Sequence, residues 1–219
     1  WGSLNFLKAG LHYADKITTV SPGYAKEILT PEFGEGMDGV LCSRKNDLTG
    51  VLNGVDYDEW KTNGNPHLPT DYSSEDLSGK QACKKAVMIE MGLTQCHLPL
   101  FGIITRFAEQ KGIGLLAETI GEFLEKKQLQ LVVLGEGDQL LADRLNQITN
   151  NFPDMISVQV GYNARLAHQI EAGSDFYLMP SRFEPCGLNQ MYSLRYGSIP
   201  IVHAVGGLDD TIRDKASVS

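Results

Sequence analysis

Ser181-Arg182-Phe183-Glu184-Pro185-Cys186-Gly187-Leu188-Asn189-Gln190 joins two segments of different period. Before it, Asp175-Phe176-Tyr177-Leu178-Met179 is a short apolar run that reads as a buried strand. After it, Leu188, Met191, Tyr192 and Arg195 recur at helical spacing. A carboxylate, a proline and a glycine thus occupy a strand-to-helix turn. Pro185 suits the first position of a helix over 185–196, where a missing N–H costs nothing. The N–H groups of Cys186, Gly187 and Leu188 would then lack partners inside the helix. Gly187 has no side chain to shield them. Such a turn can hold an anion on main-chain donors, helped by the helix dipole, with Glu184 beside it.

Working outward, the same alternation repeats. Helices are expected over 79–91, 112–127, 139–150, 164–171 and from 208 onward. Strands are expected over 98–105, 129–134, 156–160, 176–179 and 199–203. Strands that are solid apolar runs separated by helices imply an α/β fold: a Rossmann-like parallel sheet covered by helices on both faces. Nearer the start, the pattern gives a helix over 2–14, a strand over 16–20 and a helix over 23–29. Ser21 and Pro22 mark the start of that second helix. Residues 30–49 are glycine-rich and charged and read as a surface loop, 50–55 as a strand ending in a turn, and 61–78 as a loop or linker. Two domains are expected: residues 1–48, the tail of an N-terminal domain, and residues 49–219. Trp1 opens the chain in mid-helix pattern, so the chain reads as an internal piece of something longer.

The 219 residues are 42% hydrophobic, enough for a substantial core. The net charge of −8 argues against a broad nucleic-acid footprint. No apolar run is long enough to span a bilayer, and no signal peptide is evident. Cys42, Cys83, Cys96 and Cys186 are widely spaced, and the five histidines lack metal-ligand spacing. Neither a metal site nor a disulfide framework is expected, and a reducing cytoplasm is the expected compartment.

In an open parallel sheet, ligands gather at the carboxyl ends of the strands. The residues just after each expected strand are therefore informative. The five sets are Arg106 with Lys111-Gly112, Gly135-Glu136-Gly137, Gly161-Tyr162, the 181–187 turn, and Gly206-Gly207. Glycines, two cations, an aromatic ring and an acid collect on one edge. Arg106 and Lys111 suit a diphosphate, the first as a planar fork of donors and the second as a compact charge. Gly135-Glu136-Gly137 lacks the third glycine of a dinucleotide fingerprint, since Leu140 stands there; it is either a close approach to a nucleotide or a plain turn. Tyr162 either stacks on a base or lines the rim. Glu184 either acts on a ligand or caps a helix. Gly206-Gly207 either admits a ligand or forms a tight turn.

These segments resemble the bacterial glycogen synthase/starch synthase family of glucosyltransferases. The likeness rests on Tyr13 to Pro22, Val51 to Asp56, Thr105-Arg106-Phe107 to Gly112, Ser181 to Leu188, and Gly206 to Thr211. The resemblance implies a GT-B fold of two Rossmann-like domains. It implies retaining transfer of glucose from ADP-glucose, or UDP-glucose in some relatives, to the non-reducing end of an α-1,4-glucan. Neither a metal ion nor a cofactor is implied. Arg106 and Lys111 match the pair that holds the donor diphosphate, and Glu184 matches the acid near the donor glucose. Cys186, Gly187 and Leu188, followed by Asn189, match the segment that meets phosphate or sugar. Tyr162, beside Gly161, matches a position next to adenine, and Gly135, Gly137, Gly206 and Gly207 are the candidate glycines for the nucleotide side. Asn189 and Val205 stand where the family often has threonine. The family likeness also implies that most of the N-terminal domain and the closing C-terminal helices are absent. Residues 49–219 would be the nucleotide-sugar half, binding the donor but inactive alone. The expected partners are the donor and, in the longer enzyme, the glucan; neither nucleic acid nor membrane is expected. The alternatives are a non-catalytic nucleotide- or carbohydrate-binding piece and a nicotinamide-dependent oxidoreductase.

Overall fold

A computed structural model describes residues 4–214. The chain forms two compact units: Trp1–Gly54 with Phe183–Gly187 and Ala204–Ser219 (unit 1), and Val55–Arg182 with Leu188–His203 (unit 2).

In unit 1 the helices are α1 (Phe6–Tyr13), α2 (Pro22–Glu27), α3 (Asp38–Ser43) and α9 (Gly206–Thr211). Strands β1 (Ile17–Val20) and β2 (Leu48–Val51) pair in parallel, Ile17 opposite Leu48 and Val20 opposite Val51. That pairing keeps residues 48–51 in unit 1, so the expected boundary at 48/49 falls inside a ladder. Ile17, Ile28 and Leu41 form the small core. Ser21 caps α2 by accepting from the Tyr24 N–H at 3.0 Å. Arg44 closes α1, donating to the carbonyls of Leu11, His12 and Ala14 while pairing with Asp47. The expected loop over 30–49 contains α3. Its turn-like composition, with Gly39 as its second residue and Leu41 its one buried residue, hides the helical period. The first two positions of the expected 2–14 helix lie outside the described residues.

Unit 2 holds the five-stranded sheet. Its elements are α4 (Ser78–Glu90), β3 (Leu100–Phe107), α5 (Ile113–Glu125), β4 (Gln130–Gly137), α6 (Gln139–Asn151), β5 (Ile156–Val160), α7 (Ala164–Gly173), β6 (Phe176–Met179), α8 (Asn189–Arg195) and β7 (Ile199–Val202). The order is β5-β4-β3-β6-β7 and every pairing is parallel. Side chains alternate between two cores. Ile103, Leu131, Val133 and Ile156 face α5 and α6, whereas Leu100, Val132 and Leu134 face α4 and α7. Burial on both faces is why these strands read as unbroken apolar runs.

One expectation fails at the decisive stretch. The helix begins at Asn189, with Leu188 as its cap residue, and Pro185 is not in its first turn. Gly187 takes φ +72°, a left-handed conformation that a continuing helix cannot include. Residues 183–187 instead pack in unit 1, where the Gly207 N–H donates to the Glu184 carbonyl at 3.0 Å. The expected linker 61–78 is packed as well. The Tyr72 hydroxyl donates to the Tyr196 carbonyl, and the Asn65 amide donates to the Tyr196 hydroxyl at 2.9 Å.

Candidate functional site

The strand order places β3 beside β6 where the chain reverses its direction of growth: β4 and β5 lie to one side, β7 to the other. Such a switch point leaves a crevice at the carboxyl ends of the two strands. The β3–β6 ladder is short, covering Phe101↔Phe176 and Gly102↔Tyr177, whereas β3 and β4 pair from Leu100↔Gln130 to Phe107↔Gly137. Beyond Gly102, β3 has no ladder partner on the β6 side.

Arg106 is the next-to-last residue of β3, opposite Glu136, and is exposed. Lys111 ends a single 3₁₀ turn, Glu109–Lys111, directly after the strand. Gly112 follows at φ +72°, and a Cβ there would stand 2.0 Å from the Pro180 carbonyl oxygen. The Arg182 N–H donates to the Gln110 carbonyl at 2.8 Å, and its guanidinium lies 3.6 Å from Glu109. The loop after β3 is thereby fastened to the loop after β6, and Gly112 is required by both its φ and the close approach.

The other glycines serve the same packing. A Cβ on Gly135 would meet the Thr105 carbonyl oxygen at 1.9 Å, and one on Gly137, at φ +146°, the Phe107 carbonyl oxygen at 2.4 Å. Gly135 and Gly137 thus bring β4 against the end of β3, which gives them a structural reason independent of any ligand. Gly161, at φ +120°, has open space where its Cβ would be. Tyr162 beside it is 85% exposed, a ring presented to solvent rather than to core. Asp138 and Asn163 cap α6 and α7, accepting from the N–H groups of Leu140 and Leu166.

Beside Asn189, the switch point holds Ile104, Tyr177 and Glu171, which the sequence reading overlooked. In a parallel ladder, alternate residues direct both backbone groups to the same neighbour. Ile104, two beyond Gly102, faces a strand that has already diverged. Its N–H donates to the Tyr177 hydroxyl at 3.0 Å, and that hydroxyl donates to the Ile104 carbonyl at 3.1 Å. The Asn189 amide donates to the same carbonyl at 2.9 Å and to the Tyr177 hydroxyl at 2.6 Å. Behind them lies Glu171 of α7, fully buried, facing Tyr177 and Lys80. Burial pushes the carboxyl of Glu171 well above the usual range and the phenol of Tyr177 above its own. The available signal was a tyrosine inside a buried aliphatic strand, since its hydroxyl needs a partner.

Unit 2 therefore brings together Arg106, Lys111, Gly135, Gly137, Gly161, Tyr162, Leu188 and Asn189 at the carboxyl edge of one sheet. Unit 1 holds Glu184, Cys186, Gly187, Gly206 and Gly207. There Glu184 and Cys186 are buried, at 6% and 3% exposure. The Gly206 N–H donates to the Glu27 carboxylate at 2.8 Å. A Cβ on Gly206 would stand 2.3 Å from the Glu184 carbonyl oxygen, and one on Gly207 2.2 Å from the Cys186 Cα. The paired glycines let α9 lie directly on the 184–186 backbone. Among the described residues no cluster of three or more metal-ligating side chains occurs, and no helix is long and apolar enough to cross a membrane.

Comparison with known proteins gives two family matches. Residues 99–218 match glycosyl transferases group 1, and residues 1–43 match the starch synthase catalytic domain. The chain is 54% identical over 212 residues to a glycogen synthase of Anaeromyxobacter sp. (strain Fw109-5), covering 96% of this chain and 44% of that protein. It is 51% identical over 211 residues to glycogen synthase 1 of Geobacter sulfurreducens, covering 96% of this chain and 42% of that one. Among solved structures it resembles the catalytic domain of starch synthase IV from Arabidopsis thaliana bound to ADP and acarbose. That match has a TM-score of 0.92 and 37% identity, covering 99% of this chain and 45% of that chain. HepE from Anabaena, in complex with UDP and glucose, shares the fold at a TM-score of 0.66 and 14% identity, covering 94% of this chain and 48% of that one. The chain spans less than half the length of these relatives.

Proposed function

Because the chain belongs to the group 1 glycosyltransferases, we propose that it is the donor-binding part of a glycogen or starch synthase. The reaction proposed is transfer of glucose from ADP-glucose to the non-reducing end of an α-1,4-glucan, with retention. UDP-glucose is the second donor to test.

The observation that carries this reading is the carboxyl edge of unit 2. Arg106 leaves the end of β3, Lys111 the turn after it, and Tyr162 the loop after β5, all at the carboxyl edge of one sheet. In the proposed mechanism the two cations hold the donor diphosphate. As the glycosidic bond to phosphate breaks, negative charge grows on the leaving diphosphate, and preorganised cations stabilise that charge more than the ground state. Tyr162 offers a face to the nucleobase. Gly161, with open space at its Cβ position, leaves room beside that ring. Glu184, in unit 1, is proposed to orient the sugar or stabilise the oxocarbenium-like carbon. Cys186, Gly187, Leu188 and Asn189 are proposed to flank the phosphate or sugar, and Gly206 and Gly207 to support that segment.

The transfer is proposed to need no metal ion or organic cofactor, because Arg106 and Lys111 supply the positive charge the diphosphate requires. The expected acceptor is a glucan chain, and the cytoplasm is the proposed compartment, one in which four cysteines outside any disulfide remain reduced. The test is competition of ADP, UDP and NAD for the chain by calorimetry. ADP should bind most tightly and NAD least, and ADP binding should persist in EDTA. Preference for NAD would replace the glucosyl-donor reading with a nicotinamide one.

A further inference from the structure

We infer that Tyr177 and Asn189 are positioning residues that set the place of Arg106 by holding the backbone of Ile104 where the β3–β6 ladder ends. The inference rests on the donor-site reading of the carboxyl edge, adds the buried Tyr177 to it, and gives the Asn189 amide a backbone-holding role there.

A parallel strand that loses its neighbour leaves buried N–H and C=O groups without partners, and such groups are costly. Gly102 is the last β3 residue in register with β6. Residues 104 and 106 follow it on the same side of the strand. At Ile104 one hydroxyl takes the place of a strand: Tyr177 receives the N–H and donates to the carbonyl. That carbonyl also accepts from Asn189, the first residue of α8, whose amide reaches Tyr177 too. Three elements, β3, β6 and α8, are thus tied at one point. They are tied by side chains rather than by a ladder beyond Gly102. Arg106 lies two residues past the knot on a strand whose other edge stays paired with β4 through Phe107.

The Asn189 amide is engaged with Ile104 and Tyr177, which distinguishes this role from direct contact with phosphate. Tyr177 is fully buried and has no surface to offer a ligand. Its effect on the donor must pass through the backbone it holds. A shift of the β3 end by a fraction of an ångström would misplace a guanidinium that has to meet a diphosphate in a fixed fork geometry.

The test is calorimetric titration of the chain and its variants with ADP, alongside thermal melting. Tyr177→Phe and Asn189→Ala should each weaken ADP binding about tenfold. The double variant should be little worse than the weaker single one, because the two side chains act on one carbonyl. Lys84→Met is the control for general destabilisation. It removes the Lys84–Asp175 ion pair at the amino-terminal end of the sheet and should lower the melting temperature without changing ADP affinity. Wild-type ADP affinity in Tyr177→Phe, with Arg106→Ala still weakened, would overturn the positioning role and leave the donor site standing. An equal loss of affinity in Lys84→Met would overturn it too. A wild-type chain that binds neither ADP nor UDP would overturn the donor reading, and the positioning role with it.

Discussion

Unit 2 contains two polar clusters that use the same kinds of side chain in opposite ways. Behind α7 and α8, Lys80 donates to the carbonyls of Ala172 and Tyr196 and to the Ser198 hydroxyl, at 2.8, 3.1 and 2.9 Å. His168 meets the Tyr196 hydroxyl at 2.8 Å and stacks on Trp60 and His67. Every one of these bonds ends inside the protein: the Lys80 bonds join α4 to Ala172, Tyr196 and Ser198, and the His168 stacking holds Trp60 and His67 against α7. At the carboxyl edge, Arg106 and Tyr162 are turned to solvent after β3 and β5. The difference teaches that a cation or an aromatic ring indicates a site only when the fold leaves it facing outward from a rigid frame. The inner cluster should therefore govern stability and the outer one binding.

The largest expected effect would separate those two roles outright. Arg106→Ala in the synthase should lower kcat by about 10²–10³ in a glucan-synthesis assay while leaving the melting temperature nearly unchanged. Loss of fold with activity would place Arg106 in the inner class and break the comparison.

Next is the frame of the outer cluster. Gly112→Ala should cost about 2–4 kcal/mol in denaturant unfolding, because φ +72° and the Pro180 carbonyl both exclude a methyl group. Near-wild-type stability would mean the loop after β3 is freely mobile, and the preorganisation of Lys111 would be lost with it.

The inner cluster gives a pH signature. Burial, with His67 nearby, holds His168 down to about 4. The unfolded chain has the ordinary histidine value near 6.5 and takes up a proton first as pH falls. Stability contributed by the neutral ring is thus present above about pH 6.5 and lost progressively toward pH 4. The expected loss is on the order of 2 kcal/mol, read from melting curves at stepped pH, and His168→Gln should flatten it. An unchanged slope in that variant would assign the acid sensitivity elsewhere.

The smallest effect has the opposite sign. Gly121, inside α5, has nothing within 4 Å of a would-be Cβ. Gly121→Ala should raise stability by roughly 0.5–1 kcal/mol and leave ADP binding untouched. A change in affinity would show that α5 moves when ligand binds.

Much of this was legible in the sequence, and the exceptions have physical causes. The sheet was readable because β3 and β4 are buried on both faces, which leaves long aliphatic runs. The carboxyl-edge residues were readable because the strand-end rule needs only element order. The start of α8 was misread. Pro185 and Gly187 permit a helix start locally, but their conformation is set by contact with α9 some twenty residues later in the chain. Tyr177 went unnoticed because its hydroxyl bonds a residue 73 positions away, and no local pattern encodes that. The order inside the expected linker 61–78 was missed for the same reason: Asn65 and Tyr72 find their partner at Tyr196.

Hydrogen exchange of the chain with and without ADP tests the central claim most directly. New protection should concentrate at residues 105–112 and 161–163, with residues 60–72 unaffected. Protection confined to 60–72, or none at the strand ends, would contradict the assignment of the carboxyl edge as the donor site.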